Sequence, residues 1–69
     1  MIQSIEFVVE AGETNLVVDT ARAAANEALE RITIAPIDGT PRYKVRIALQ
    51  PAATAMVMRA IMNALEKSG

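Results

Sequence analysis

The 69-residue chain contains neither cysteine nor histidine. Without cysteine no disulfide can form, and the two residue types that most often bind zinc, copper and haem iron are both missing. The sequence therefore predicts no metal site, and nothing in it indicates a cofactor. Small domains are commonly stabilised by disulfides, metals or association with another chain, and only association remains available here.

Aromatic residues are also scarce, at 3% of the chain, although hydrophobic residues together make up 52%. The apolar volume comes from Ala, Val, Ile, Leu and four Met, and these side chains bury less area than aromatic rings do. A chain of this length buries only about 60% of the surface that its unfolded form exposes. We therefore expect one small domain over residues 1–69, with a thin core and a gain in stability from forming a homodimer.

The charge and hydropathy of the chain give no sign of a membrane or secretory protein. The formal net charge is −1, so overall electrostatics favour no class of partner. No apolar run reaches the length of a membrane span, and residues 1–6 lack the basic start and apolar stretch of a signal peptide. Together with the absence of cysteine, these features predict a cytoplasmic protein that does not bind membranes.

Two segments alternate apolar and polar residues as half-buried strands do. The apolar positions are Ile5, Phe7 and Val9 in residues 2–10, and Tyr43, Val45, Ile47 and Leu49 in residues 42–49. Residues 31–37 are a weaker strand candidate. Pro36 would place such a strand at a sheet edge, because proline has no backbone donor. Asp38 and Gly39 then predict a turn.

Two helices are predicted from the apolar periodicity. From about residue 14 to residue 32, the apolar side chains fall within roughly 140° of a helical wheel. They are Val17, Val18, Ala21, Ala24, Ala25, Ala28, Leu29 and Ile32. Residues 16–18 alone also suit a strand, but their phase with the following alanines favours a helix, with Thr14 as its N-cap. The second helix covers residues 52–67, after Pro51 at the first helical position.

The resulting order is β-α-(β)-β-α. Each strand has a single apolar face, so both helices must cover the same side of the sheet. The predicted fold class is α+β: a two-layer sandwich in which two helices pack on one face of a two- or three-stranded sheet. The other face of the sheet is left for solvent or for a partner.

The sequence predicts no enzyme. Glu6 and Glu10 share a strand face, but four residues along a strand span about 13 Å, which is too far for paired-carboxylate hydrolysis. Ser4 and Ser68 have no histidine to activate them. The three glycines stand alone, so no phosphate-binding loop is present.

Three cations alternate on one face of the third predicted strand. Arg42, Lys44 and Arg46 lie about 7 Å apart along it, where they could meet an acidic protein surface or nucleic-acid phosphates. A purely structural interpretation is that Glu6 and Glu10 pair with them across the sheet. Both aromatic residues fall on the opposite face, and a sheet that binds RNA normally presents aromatics for base stacking. This lack disfavours nucleic acid.

Methionines mark a second candidate surface on the last helix. Met58 lies close to Leu65 on the helical wheel, so we expect it in the core. Met56 and Met62 fall outside the core stripe near Arg59, which predicts self-association through Met56, Arg59 and Met62. The competing interpretation is that these are isolated exposed methionines, which are common.

The preferred functional hypothesis is a non-catalytic protein-binding module, acting as a homodimer that occupies a surface of its partner. Its size is that of small inhibitors or adaptors, of the kind that phages and mobile elements encode. The alternative is a nucleic-acid-binding protein that uses Arg42, Lys44 and Arg46.

Overall fold

The computed structural model describes residues 1–68, which form three strands and two helices. In chain order these are β1 (Gln3–Glu10), α1 (Thr14–Ala25), β2 (Leu29–Pro36), β3 (Arg42–Leu49) and α2 (Thr54–Ser68). Short 3-10 turns precede each helix and follow α1. Both helices pack against one sheet, which confirms the predicted two-layer α+β sandwich.

The sheet has the strand order β1-β3-β2 and is antiparallel throughout. The crossover through α1 therefore brings the first and last strands together, as predicted. The weaker strand candidate, residues 31–37, corresponds to a full strand, β2, at one edge of the sheet. Pro36 lies at its end, where the missing backbone donor interrupts no central ladder.

The turn predicted at Asp38 and Gly39 joins β2 to β3 as a hairpin. The amide of Thr40 donates to the carbonyl of Ile37 over 3.2 Å, and the amide of Ile37 donates to the carbonyl of Arg42 over 3.0 Å. Gly39 has a φ of 80°, a conformation that glycine adopts without a steric penalty. Glycine is therefore required by the backbone at this point of the turn.

The core lies between the sheet and the two helices. Its buried members are mostly aliphatic side chains of β3 and of the inner faces of α1 and α2. They are Val9, Val17, Ala21, Ala25, Val45, Ile47, Leu49, Ala53, Val57 and Ile61. Phe7 and Tyr43 are only half-buried. The predicted helix phase over residues 17–25 is correct, since Val17, Ala21 and Ala25 lie four residues apart on the buried side.

The predicted end of the first helix is wrong. α1 stops at Ala25, and Asn26 has φ 52° and ψ −119°, which turns the chain out of the helix. Leu29 and Ile32 belong to β2, where they still face the core, but from the sheet side. Their spacing of three residues suits a helix. In β2 a bulge between Leu29 and Arg31 puts both of them on the core face, where they pair with Leu49 and Ile47 of β3.

The helix starts also differ from the sequence prediction. Thr14 is the first residue of α1 rather than its N-cap, and its hydroxyl donates to the Ala11 carbonyl over 3.1 Å. Glu13 closes the preceding turn by accepting the amide of Glu10 over 3.1 Å. Pro51 begins a 3-10 turn, and α2 follows from Thr54. No helix within residues 1–68 is both long and apolar enough to cross a membrane.

Candidate protein-binding faces

One face of the sheet carries no helix, and we call it the open face. The register of the three strands fixes its members, because residues paired across antiparallel strands share a face. They are Ser4, Glu6, Val8 and Glu10 of β1, Arg42, Lys44, Arg46 and Ala48 of β3, and Arg31, Thr33 and Ala35 of β2. The cations of β3 therefore lie along the middle of a surface that no helix covers.

The two carboxylates of β1 pair with the cations of β3. Oε2 of Glu6 lies 3.2 Å from Nη2 of Arg46 and 3.8 Å from Nζ of Lys44. Oε1 of Glu10 lies 3.5 Å from Nε of Arg42. All five side chains are 42–59% exposed, so water and salt screen these pairs and each contributes little to stability. The ion pairs therefore leave the cations accessible to a partner.

Positive charge exceeds negative charge on the open face. Arg31 of β2 is a fourth cation there, and no ion pair joins it to another residue within 1–68. Lys44 and Arg46 share the single carboxylate of Glu6. Beside them a shallow depression of about 260 Å³ opens between β2 and β3, lined by Thr33, Ala35, Lys44 and Arg46. An anionic group of a partner would find two donors and a hydroxyl at this point.

The open face has little apolar surface and no ring on which a base could stack. Phe7 and Tyr43, the only aromatic residues of the chain, lie on the helix-covered side. Val8 is the one large aliphatic residue of the open face and is 55% exposed. The face therefore offers charge and hydrogen bonding rather than stacking.

A second surface, on α2, is rich in methionine. Met56 is 54% exposed and Met62 is 55% exposed, in agreement with their positions outside the core stripe. Met58 is 38% exposed, so the prediction that it belongs to the core is wrong. Its wheel position is at the margin of the buried stripe, about 60° beyond Ile61, where the layer of core contacts ends.

The exposed methionines lie beside two different grooves. A groove of about 480 Å³ is lined by Ala55, Met56, Arg59, Ala60 and Asn63. Another, of about 370 Å³, is lined by Ala55, Met58, Arg59, Met62, Asn63 and Glu66. Ala55, Arg59 and Asn63 contribute to both grooves, so the two adjoin on one open surface of α2. Met56 lies on one side of this surface, and Met58 and Met62 lie on the other.

Sequence reasoning missed two members of these faces, Arg31 and Met58. Residue 31 falls where the predicted helix, which extends to residue 32, overlaps the weaker strand candidate, which starts at residue 31. Its alternation with Thr33 and Ala35 is the signal that would have placed it on the open face. Met58 was missed because a helical wheel gives the angle of a residue but not the width of the surface that covers the helix.

Two further observations on residues 1–68 concern metal ligands and buried polar atoms. No group of three or more acidic residues lies close enough together to hold a metal ion within this part of the chain. No buried side-chain nitrogen or oxygen among the described residues lacks a hydrogen-bond partner. Comparisons with known protein families, with curated proteins and with solved structures found no match.

Proposed function

We propose that the chain is a non-catalytic protein-binding module that occupies an acidic surface of its partner, as an inhibitor or adaptor does. The open face of the sheet is the binding surface, with Arg42, Lys44 and Arg46 at its centre. The observation that carries this proposal is the excess of accessible cations on a sheet face that no helix covers. Complementary charge of this kind guides association and excludes wrong partners.

Several features favour a protein partner over nucleic acid. The β1 carboxylates offset part of the positive charge, which weakens any phosphate contact. Both aromatic residues lie away from the open face, so nucleobases have no stacking platform. Val8 and Ala35 supply small apolar contacts of the sort that a protein surface buries beside its polar rim.

The experiment places a photo-crosslinking residue at Ala35, on the open face of the edge strand β2 and beside Lys44, in the chain expressed in its native host. The control places the same residue at Ala23, which is exposed on α1. We expect one protein to crosslink through position 35 and not through position 23. Crosslinking to nucleic acid through position 35 would instead support the alternative function.

The captured protein is then titrated with the purified chain and with two charge reversals. Lys44→Glu should weaken binding at least about tenfold, chiefly through a faster off-rate, because it puts a carboxylate against an acidic surface. Arg22→Glu reverses an exposed cation on α1, away from the open face, and should bind like the unaltered chain. Equal effects of the two reversals would contradict the proposed binding surface.

A further inference from the structure

The outer side of α2 carries an apolar seam with the spacing of a coiled coil. Ala55, Met58, Met62 and Leu65 follow one another at intervals of three, four and three residues, which is the a/d pattern of a heptad. We call these four residues the methionine seam. Leu65 is half-buried against the core, while the other three are exposed. The methionine seam therefore begins at the edge of the core, at Leu65, and extends over the exposed surface of α2.

Opposite charges flank the methionine seam on one side. Arg59 and Glu66 each follow a d position of the seam, Met58 and Leu65, so both occupy the heptad position e. Neither forms an ion pair with any other residue of the described chain, 1–68. The residue at the g position on the opposite side of the seam, Ile61, is fully buried against the core.

This charge arrangement is self-complementary in one orientation only. In an antiparallel helix pair the e positions of the two helices face each other, whereas in a parallel pair e faces g. Here the g side is occupied by the chain's own core, which leaves no partner for Arg59 or Glu66 in a parallel pair. An antiparallel second copy would instead bring Arg59 against Glu66 twice, once on each side of the symmetry axis.

We propose that a second copy of this chain docks on the methionine seam with its α2 antiparallel, forming a homodimer. Aligning Arg59 of each copy with Glu66 of the other puts the twofold axis between Met62 and Asn63. Met62 then packs against its counterpart, and the groove of about 370 Å³ beside it receives side chains of the other helix. This goes beyond the proposed function, because it uses the opposite layer of the molecule and requires no other protein.

The dimer should be weak. α2 has 15 residues and is about 22 Å long, so one helix pair buries less than the roughly 1,600 Å² of a standard stable interface. We expect a dissociation constant in the micromolar range. Sedimentation equilibrium of the full chain from about 1 to 500 μM covers this range on both sides. A monomer at every concentration would overturn the proposal.

Charge reversal tests the orientation. Arg59→Glu places two carboxylates together at each contact, and Glu66→Arg places two cations together. Each single variant should therefore dimerise at least about tenfold more weakly. The double variant, which exchanges the two charges, should recover the dimer. An equimolar mixture of the single variants should form heterodimers, detected by native mass spectrometry, because both contacts then join opposite charges.

Two methionine variants provide a matched pair for the location of the interface. Met62→Lys brings two ammonium groups together near the axis and should abolish the dimer. Met56→Lys makes the same change about 120° around the helix, beside the other groove, and should leave the dimer intact. Circular dichroism checks that each variant is folded. Loss of the dimer in Met56→Lys but not in Met62→Lys, or single charge reversals that fail to heterodimerise, would overturn the antiparallel seam.

Discussion

Glu6 and Arg46 occupy directly opposed positions of β1 and β3, and Nη2 of Arg46 donates a hydrogen bond to Oε2 of Glu6 over 3.2 Å. The same oxygen lies 3.8 Å from Nζ of Lys44. The carboxylate of Glu6 thus pairs with two cations of the open face, Arg46 and Lys44. Strand pairing sets the register of these residues, and their exposure keeps the electrostatic free energy of the ion pairs small.

The first prediction concerns this shared carboxylate. Glu6→Gln should change the free energy of unfolding by less than about 0.5 kcal/mol in urea denaturation, because exposed ion pairs contribute little. It should also strengthen binding to the acidic partner, since it removes the charge that competes for Lys44 and Arg46. Glu27→Gln, at an exposed position outside the sheet, is the control. A large loss of stability at Glu6 alone would show that the ion pairs are structural.

The second prediction tests how α1 packs. Ala25 is 6% exposed and lies in the core, so Ala25→Leu should lower the free energy of unfolding by about 1–3 kcal/mol through overpacking. Ala23 lies on the solvent side of the same helix, and Ala23→Leu should have almost no effect. Urea denaturation of both variants measures the difference. If positions 23 and 25 respond alike, the orientation of α1 is wrong.

The third prediction concerns the end of α1. Asn26 has a positive φ that L-residues adopt only with strain, and glycine adopts it freely. Asn26→Gly should therefore raise the free energy of unfolding by about 1 kcal/mol, and Asn26→Val should lower it by a similar amount or more. Thermal unfolding followed by circular dichroism ranks the three proteins. The opposite ranking would mean that the chain leaves the helix differently.

The fourth prediction separates protein from nucleic-acid binding. The purified chain should not retain mixed single- or double-stranded oligonucleotides below roughly 10 μM at about 0.15 M salt, because two carboxylates offset the cations of β3. A strand that neutralised about three phosphates would show a log–log salt slope of about −2 to −3. Fluorescence anisotropy measures both quantities. Submicromolar retention that Lys44→Glu abolishes would make nucleic-acid binding the better proposal.

Local periodicity predicted the strands, the helices and the covered side of the sheet, because each of these depends on neighbours within a few residues. It failed at Leu29, which lies three residues before Ile32, a spacing that suits a helix and not a regular strand. A bulge between Leu29 and Arg31 puts both residues on the core face of β2. Pairing with β3 decides that case, and a contact so distant in sequence leaves no local signal. The turn at Asn26 was missed for a related reason, since asparagine is only one of several residues found at helix ends.

The binding faces could be predicted in outline from the same patterns. Alternation placed Arg42, Lys44 and Arg46 together, and it also placed Glu6 and Glu10 beside them. What a single sequence does not contain is the strand order, which adds Arg31 to the open face across β3. The exposure of Met58 likewise depends on how far the sheet extends beneath α2, which is a property of the assembled layers.

The position of β3 at the centre of the sheet has a consequence for how the protein is made. β3 is the last of these three strands to leave the ribosome, and within residues 1–68 β1 pairs with it alone, from Glu10 with Arg42 to Gln3 with Leu49. A nascent chain that ends before residue 42 therefore has no ladder to form. The hairpin of β2 and β3 closes the shorter loop and should form first. β1 then joins an existing edge, so during refolding we expect the amides of the β2–β3 hairpin to become protected from deuterium exchange before those of β1.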